Sequence, residues 1–174
     1  LAADLIRRRH SGVPLFVLGD SMGGAVVLTA MSGPQPPRTE GAILVAPAVW
    51  GRSTMPFYQR WALWLGAHTV PAMTLSGRGL NIKPSDNIEM LRALGRDPKV
   101  IKQTRIDTIW GLTNLMDRAL ASADRFDIPA LILYGAHDDI IPGAPVRAML
   151  ERRPPTAIGR QKVIYYDNGY HMLL

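Results

Sequence analysis

The sequence predicts an α/β fold built on a parallel sheet that is incomplete on its N-terminal side and interrupted by a long helical insertion. Three observations carry that expectation. Short strand-like runs bounded by turn residues occur at 13–18, 41–47, 129–134 and 161–166; the first two are continuous and apolar and read as buried strands, the habit of parallel sheets. A glycine-rich segment of helical character leads directly out of the first of them. Between Trp50 and Asp127 the apolar spacing turns helical, with no strand signature. The chain therefore divides into a first core part (1–49), a helical cap-like insertion (50–127) and a second core part (128–174).

Taken in order, residues 1–10 pattern as a short amphipathic helix, with Leu1, Leu5 and Ile6 on one side and Arg7, Arg8 and Arg9 behind them, stopped by Ser11 and Gly12. The run 13–18 is the first strand. Small residues from Gly23 onward let the following helix, through Met31, lie close to the strand it leaves. The proline-rich stretch 32–39 is a loop, and 41–47 a second buried strand. In the insertion, residues 56–67 carry a stripe of Phe57, Trp61, Trp64 and Leu65. Asp86 and Glu89 have capping-box spacing ahead of Ile88, Leu91 and Leu94, and a further helix covers 104–122. The strands at 129–134 and 161–166 flank a helix around 145–152.

At 174 residues, with 47% hydrophobic and 20% charged residues, the chain has the composition of a globular domain and not of a disordered or membrane-spanning one. It contains no cysteine, which excludes disulfides, thiolate metal sites and a cysteine nucleophile. A net charge of +6 raises the question of nucleic acid, but the basic residues are scattered, their longest run being Arg7 to Arg9, so no nucleic-acid partner is expected. The same charge allows peripheral contact with anionic lipid headgroups. The sequence begins within a helical pattern at Leu1 and ends just past an apolar run, which suggests a fragment.

Gly19-Asp20-Ser21-Met22-Gly23 has the form G-x-S-x-G and falls where a strand gives way to a helix. That context predicts a sharp, strained turn that holds the Ser21 hydroxyl above the sheet, with the glycines placed where side chains would collide. A serine hydroxyl needs a base to take its proton and a carboxylate to orient the base. His171 follows the last strand, on a loop able to bring it over the sheet. His10 and His68 read as surface or packing residues. The acid should emerge after the strand 129–134, where Asp138 and Asp139 are adjacent and both qualify. The chain order serine, aspartate, histidine is that of α/β-hydrolases.

Through Gly19-Asp20-Ser21-Met22-Gly23-Gly24, Gly135-Ala136-His137-Asp138 and Gly169-Tyr170-His171-Met172-Leu173, the sequence resembles the monoglyceride lipase and lysophospholipase group of α/β-hydrolases, of the serine aminopeptidase S33 type. The resemblance spans nearly the whole chain and implies the α/β-hydrolase fold with a helical cap. It selects Asp138 over Asp139, because the family's aspartate lies three residues beyond the strand-end glycine. It also implies that residues 50–127 form a cap shaping an acyl pocket, and Pro84-Ser85-Asp86-Asn87 with Arg96-Asp97-Pro98 looks like the family's cap. Two departures stand out. Asp20 occupies a position where the family commonly has His or Tyr. The family's preceding strands and the His-Gly loop that completes its oxyanion hole have no counterpart in this sequence, which would leave the strand at 15–18 with an unpaired apolar edge prone to aggregation.

The expected function is hydrolysis of carboxylic esters of lipid-like substrates, a monoacylglycerol or a lysophospholipid. Ser21 is the nucleophile, His171 the base, Asp138 its orienting acid and the Met22 N–H the nameable oxyanion donor. Trp50, Trp61 and Trp64 are the candidate substrate-binding residues, supplying apolar surface worth about 0.8 kcal/mol per buried CH₂. No metal or organic cofactor is expected. The alternatives are a non-lipid carboxylesterase or an acyltransferase of the same fold, or a binding protein without activity.

Overall fold

The computed structural model describes residues 2–77, 79 and 82–174; Leu1, part of the first predicted helix, lies outside them. Four strands form one sheet in the order β1-β2-β5-β6, where β1 is Phe16–Asp20, β2 Gly41–Val45, β5 Ala130–Gly135 and β6 Gln161–Tyr166. Every neighbouring pair is parallel. Parallel neighbours require crossover connections, and helices supply them. α2 (Met22–Met31) joins β1 to β2, and α6 (Gly143–Glu151) with α7 (Pro155–Ile158) joins β5 to β6. Between β2 and β5 run α3 (Phe57–Thr69), β3 (Thr74–Ser76), α4 (Ile88–Arg96), β4 (Gln103–Arg105) and α5 (Ile106–Ser122), while α1 (Ala2–Arg9) precedes the sheet.

The core lies where α2 and α5 pack together on the sheet: Ala25 and Leu28 meet Met116, Ala119 and Leu120 over Leu44 and Ile132. Gly24 lets α2 lie close over the end of β2, since a Cβ there would lie 2.9 Å from Pro47. α5 also packs against α3, so a single helix ties the residues of the insertion to the sheet layer.

Several expectations need correction. The first strand begins three residues later than its apolar run and continues to Asp20. It is not covered on both faces: Phe16 and Leu18 are exposed, because β1 is an edge strand paired only with β2 among the described residues. The insertion is not wholly helical. β3 and β4 form an antiparallel pair of three residues each, too short for a period-2 pattern to register, and β4 takes the first turn expected of the helix at 104–122. Asn87, not Asp86, caps α4, accepting a 3.0 Å bond from the Met90 N–H. The short α7 lies inside a stretch that gave no helical signal.

Candidate active site

All the chemically interesting loops lie at the carboxyl ends of the parallel strands, where open α/β sheets place their ligand crevices. At the end of β1 the backbone turns through Ser21, whose φ of 49° and ψ of −113° lie in a region that non-glycine residues rarely visit. The turn is held from both sides. The Ser21 N–H donates to Val45 C=O at 2.9 Å and the Ser21 carbonyl accepts from Ala48 N–H at 2.9 Å. Gly19 makes the turn sterically feasible, since a Cβ there would stand 2.4 Å from the Gly23 carbonyl oxygen. Gly23 itself is not constrained in this way, because nothing lies within 4 Å of its Cβ position, and the close approach anticipated for it falls to Gly24. Strain at a residue fixed by its surroundings is characteristic of functional turns.

The loop after β5 presents Asp138, and the loop after β6 presents His171. His171 Nδ1 lies 2.8 Å from Asp138 Oδ2 and its Nε2 lies 2.8 Å from Ser21 Oγ. Both partners are enclosed, with side-chain exposures of 0% for Asp138 and 8% for His171. The other carboxylate oxygen, Asp138 Oδ1, accepts the backbone N–H groups of Ile140 and Ile141 at 2.8 Å each, so the carboxylate is held at both oxygens. The two loops are welded together. His137 N–H donates to Gly169 C=O at 2.8 Å, and Gly135 sits so close to Gly169 and Tyr170 that a Cβ would come within 2.3 Å of the Tyr170 carbonyl. Beneath them the buried Tyr134 hydroxyl donates to Ile141 C=O at 2.8 Å. Burial, helped by the nearby Asp138 carboxylate, pushes its pKa up to about 12.

Met22, next to Ser21, is the first residue of α2, so its N–H has no intrahelical acceptor. Asp138, not Asp139, meets His171; Asp139 Oδ2 accepts the Lys83 N–H at 3.2 Å. Of the three tryptophans singled out, Trp61 and Trp64 line one cavity of about 320 Å³ together with Arg52, Arg60 and Trp110. Trp50 is not part of that lining and packs half-buried against the core. His68, read as a surface or packing residue, is exposed but stacks on Trp64 at 4.7 Å and meets Trp110 edge-on at 5.5 Å. Arg52 and Arg60 carried no signal in the sequence, because isolated arginines are ordinary surface residues until a cavity forms around them.

A parallel sheet with a strained strand–Ser21–helix turn, topped by loops carrying an aspartate and a histidine, defines an α/β-hydrolase fold. The chain belongs to the Serine aminopeptidase, S33 family, which it matches over residues 1–174. Among curated relatives it is 27% identical to the monoglyceride lipase of Mus musculus over 177 residues, covering 98% of this chain and 55% of that protein. It is 24% identical to the monoglyceride lipase of Homo sapiens, covering 98% and 55%. The chain thus spans about half the length of the curated relatives it matches. The fold is shared with the monoacylglycerol lipase of Paleococcus ferrophilus (TM-score 0.72, 22% identity, 99% of this chain and 66% of that one). It is shared too with a soluble variant of monoglyceride lipase from Saccharomyces cerevisiae (TM-score 0.73, 22% identity, 99% and 59%).

Proposed function

We propose that this chain carries the catalytic residues of a serine esterase acting on lipid-like carboxylic esters, with a monoacylglycerol or a lysophospholipid as the substrate class. The observation that carries the reading is the unbroken line from Ser21 Oγ through the His171 ring to the Asp138 carboxylate, with 2.8 Å at each contact. An ionised Asp138 only accepts hydrogen bonds, so it retains the proton on His171 Nδ1 and leaves Nε2 as the base facing Ser21. As Ser21 Oγ attacks the ester carbonyl carbon, its proton passes to Nε2 and the Met22 N–H bonds the developing oxyanion. Collapse of the tetrahedral intermediate breaks the ester C–O bond, and the imidazolium returns the proton to the departing alcohol. Water then attacks the acyl-enzyme by the same route, releasing the carboxylic acid and regenerating Ser21.

The lipid character of the substrate is supported by the monoglyceride lipases among the relatives and by the exposed apolar side chains of α3, Phe57, Trp61, Trp64 and Leu65. The test is labelling of the intact protein with a fluorophosphonate, followed by hydrolysis of a monoacylglycerol. Ser21→Ala should lose both signals. Labelling that survives in that variant would assign the nucleophile elsewhere.

A further inference from the structure

The cavity lined by Arg52, Arg60, Trp61, Trp64 and Trp110 is not a plain acyl slot, because two of its five walls are cations. Arg52 is fixed in place. Its backbone N–H donates to Asp117 Oδ1 at 2.6 Å, its guanidinium pairs with the other Asp117 oxygen, and its charged end lies 4.0 Å over the ring of Trp110. That clamp uses one terminal nitrogen and leaves the other, Nη2, buried with no hydrogen-bond partner among the described residues. An unsatisfied buried donor is costly, the more so when charged, so a shift of the Arg52 side chain that brought Nη2 to an acceptor in the cavity would be favoured. Arg60 stands on the same cavity, and among the described residues no ion pair engages its guanidinium. With Asp117 neutralised by Arg52, the charge of Arg60 is uncompensated. Trp61 and Trp64, packed edge-to-face at 5.8 Å, remain 66% and 44% exposed, an apolar surface beside the two cations.

One wall of the cavity is also close in sequence to a residue that touches the strained serine. Ala48 is hydrogen-bonded to the Ser21 carbonyl, and the four residues from there to Arg52 span about 14 Å at full extension. We infer that this cavity binds the anionic head, phosphate or carboxylate, of a single-chain amphiphile, with Arg52 Nη2 and Arg60 on the oxygens and the alkyl chain across Trp61 and Trp64. Arginine forks suit such heads better than any neutral group, and a tryptophan face supplies the complementary burial for the chain. The consequence for turnover, a preference for acidic over neutral lipid esters, rests on the esterase reading above; the binding does not.

The experiment therefore uses ligands with no ester to cleave. Tryptophan fluorescence of the intact protein is titrated, below micelle formation, with dodecyl phosphate, with the neutral 1-O-dodecylglycerol and with inorganic phosphate. Dodecyl phosphate should bind at least about tenfold more tightly than the neutral ether, each charge-assisted contact being stronger than a neutral one. That advantage should vanish in Arg60→Gln, an exposed position whose change leaves the fold intact, and shrink in Arg52→Lys, which keeps the Asp117 pair but loses the second nitrogen. Inorganic phosphate should bind far more weakly than dodecyl phosphate. Equal affinity for charged and neutral chains, an advantage that survives Arg60→Gln, or inorganic phosphate binding as tightly as the alkyl phosphate would each overturn the inference. None of these outcomes depends on whether Ser21 reacts, so failure of fluorophosphonate labelling would count only against the esterase reading.

Discussion

Replacing Asp138 by Asn separates geometry from proton placement at this site. The two side chains are nearly the same size, so packing of the enclosed carboxylate position should survive. Its hydrogen bonds cannot all survive. Oδ1 accepts from Ile140 N–H and Ile141 N–H, and Oδ2 faces His171 Nδ1. An asparagine has one acceptor oxygen and one donor nitrogen. Turning the nitrogen toward the two backbone N–H groups would leave both without acceptors, at about 1–3 kcal/mol each, so the oxygen stays there and the amide N–H₂ faces the imidazole. His171 must then accept at Nδ1 and carry its proton on Nε2, where it can no longer take one from Ser21. A wrong tautomer in an otherwise intact Ser-His-Asp triad lowers kcat on the order of 10⁴-fold. The assay is kcat/KM on a monoacylglycerol with the intact protein, with thermal melting to show that the variant is folded. Asp139→Asn, at a position whose carboxylate accepts the Lys83 N–H and not the imidazole, should change the rate by less than about tenfold, since it does not alter the hydrogen bond to His171. A folded Asp138→Asn enzyme within tenfold of the parent, or a larger loss in Asp139→Asn, would refute the assignment of the acid.

Ser21→Ala and His171→Ala should each abolish most turnover, and the double variant should be scarcely worse than either, because residues acting as a unit fail together; additive losses would count against a joint role. Gly19→Ala should lower the melting temperature sharply while Gly23→Ala is mild, since only the first places a Cβ against backbone, 2.4 Å from the Gly23 oxygen. Tyr134 should make stability fall as pH rises from about 10 to 12. Its pKa is about 12 in the folded protein against an ordinary 10, so the folded state holds the phenolic proton more tightly and that contribution, complete below 10, is lost above it; denaturant titrations at pH 9 and 11 should show the drop, and Tyr134→Phe should remove it. Trp61→Ala or Trp64→Ala should reduce kcat/KM for long-chain esters far more than for acetate esters, because a short substrate does not reach that surface; equal losses would assign these rings to packing alone.

The elements legible in the sequence are those whose cause is local. The apolar runs at 41–45 and 130–135 are strands because they sit inside a sheet covered by helices, and their composition states that burial; 161–166 is a strand too, at an edge of the described sheet and partly exposed. The glycine pattern around Ser21 was readable for the same reason: a turn too tight for a Cβ at Gly19 leaves glycine as the residue that fits. Likewise the serine, the aspartate pair and the histidine stand at strand ends, and strand ends can be located from apolar runs.

What tertiary structure decided is everything that depends on which residues become neighbours across long separations. Ser21 and His171 are 150 residues apart, and only the β1-β2-β5-β6 order and its register bring their loops to one edge of the sheet. Of Asp138 and Asp139, indistinguishable on spacing alone, the fold sets Asp138 against the imidazole and holds its other oxygen with two backbone N–H groups. The apolar run of β1 reads as a strand covered on both faces, yet Phe16 and Leu18 are exposed; apolarity does not report coverage, and only the resemblance pointed to an unpaired edge there. Arg52 and Arg60 were silent for a related reason. A cation becomes informative only when aromatic walls from two helices, Trp61 and Trp64 on α3 and Trp110 on α5, enclose it, and helix packing of that kind leaves no periodic mark around the arginine itself.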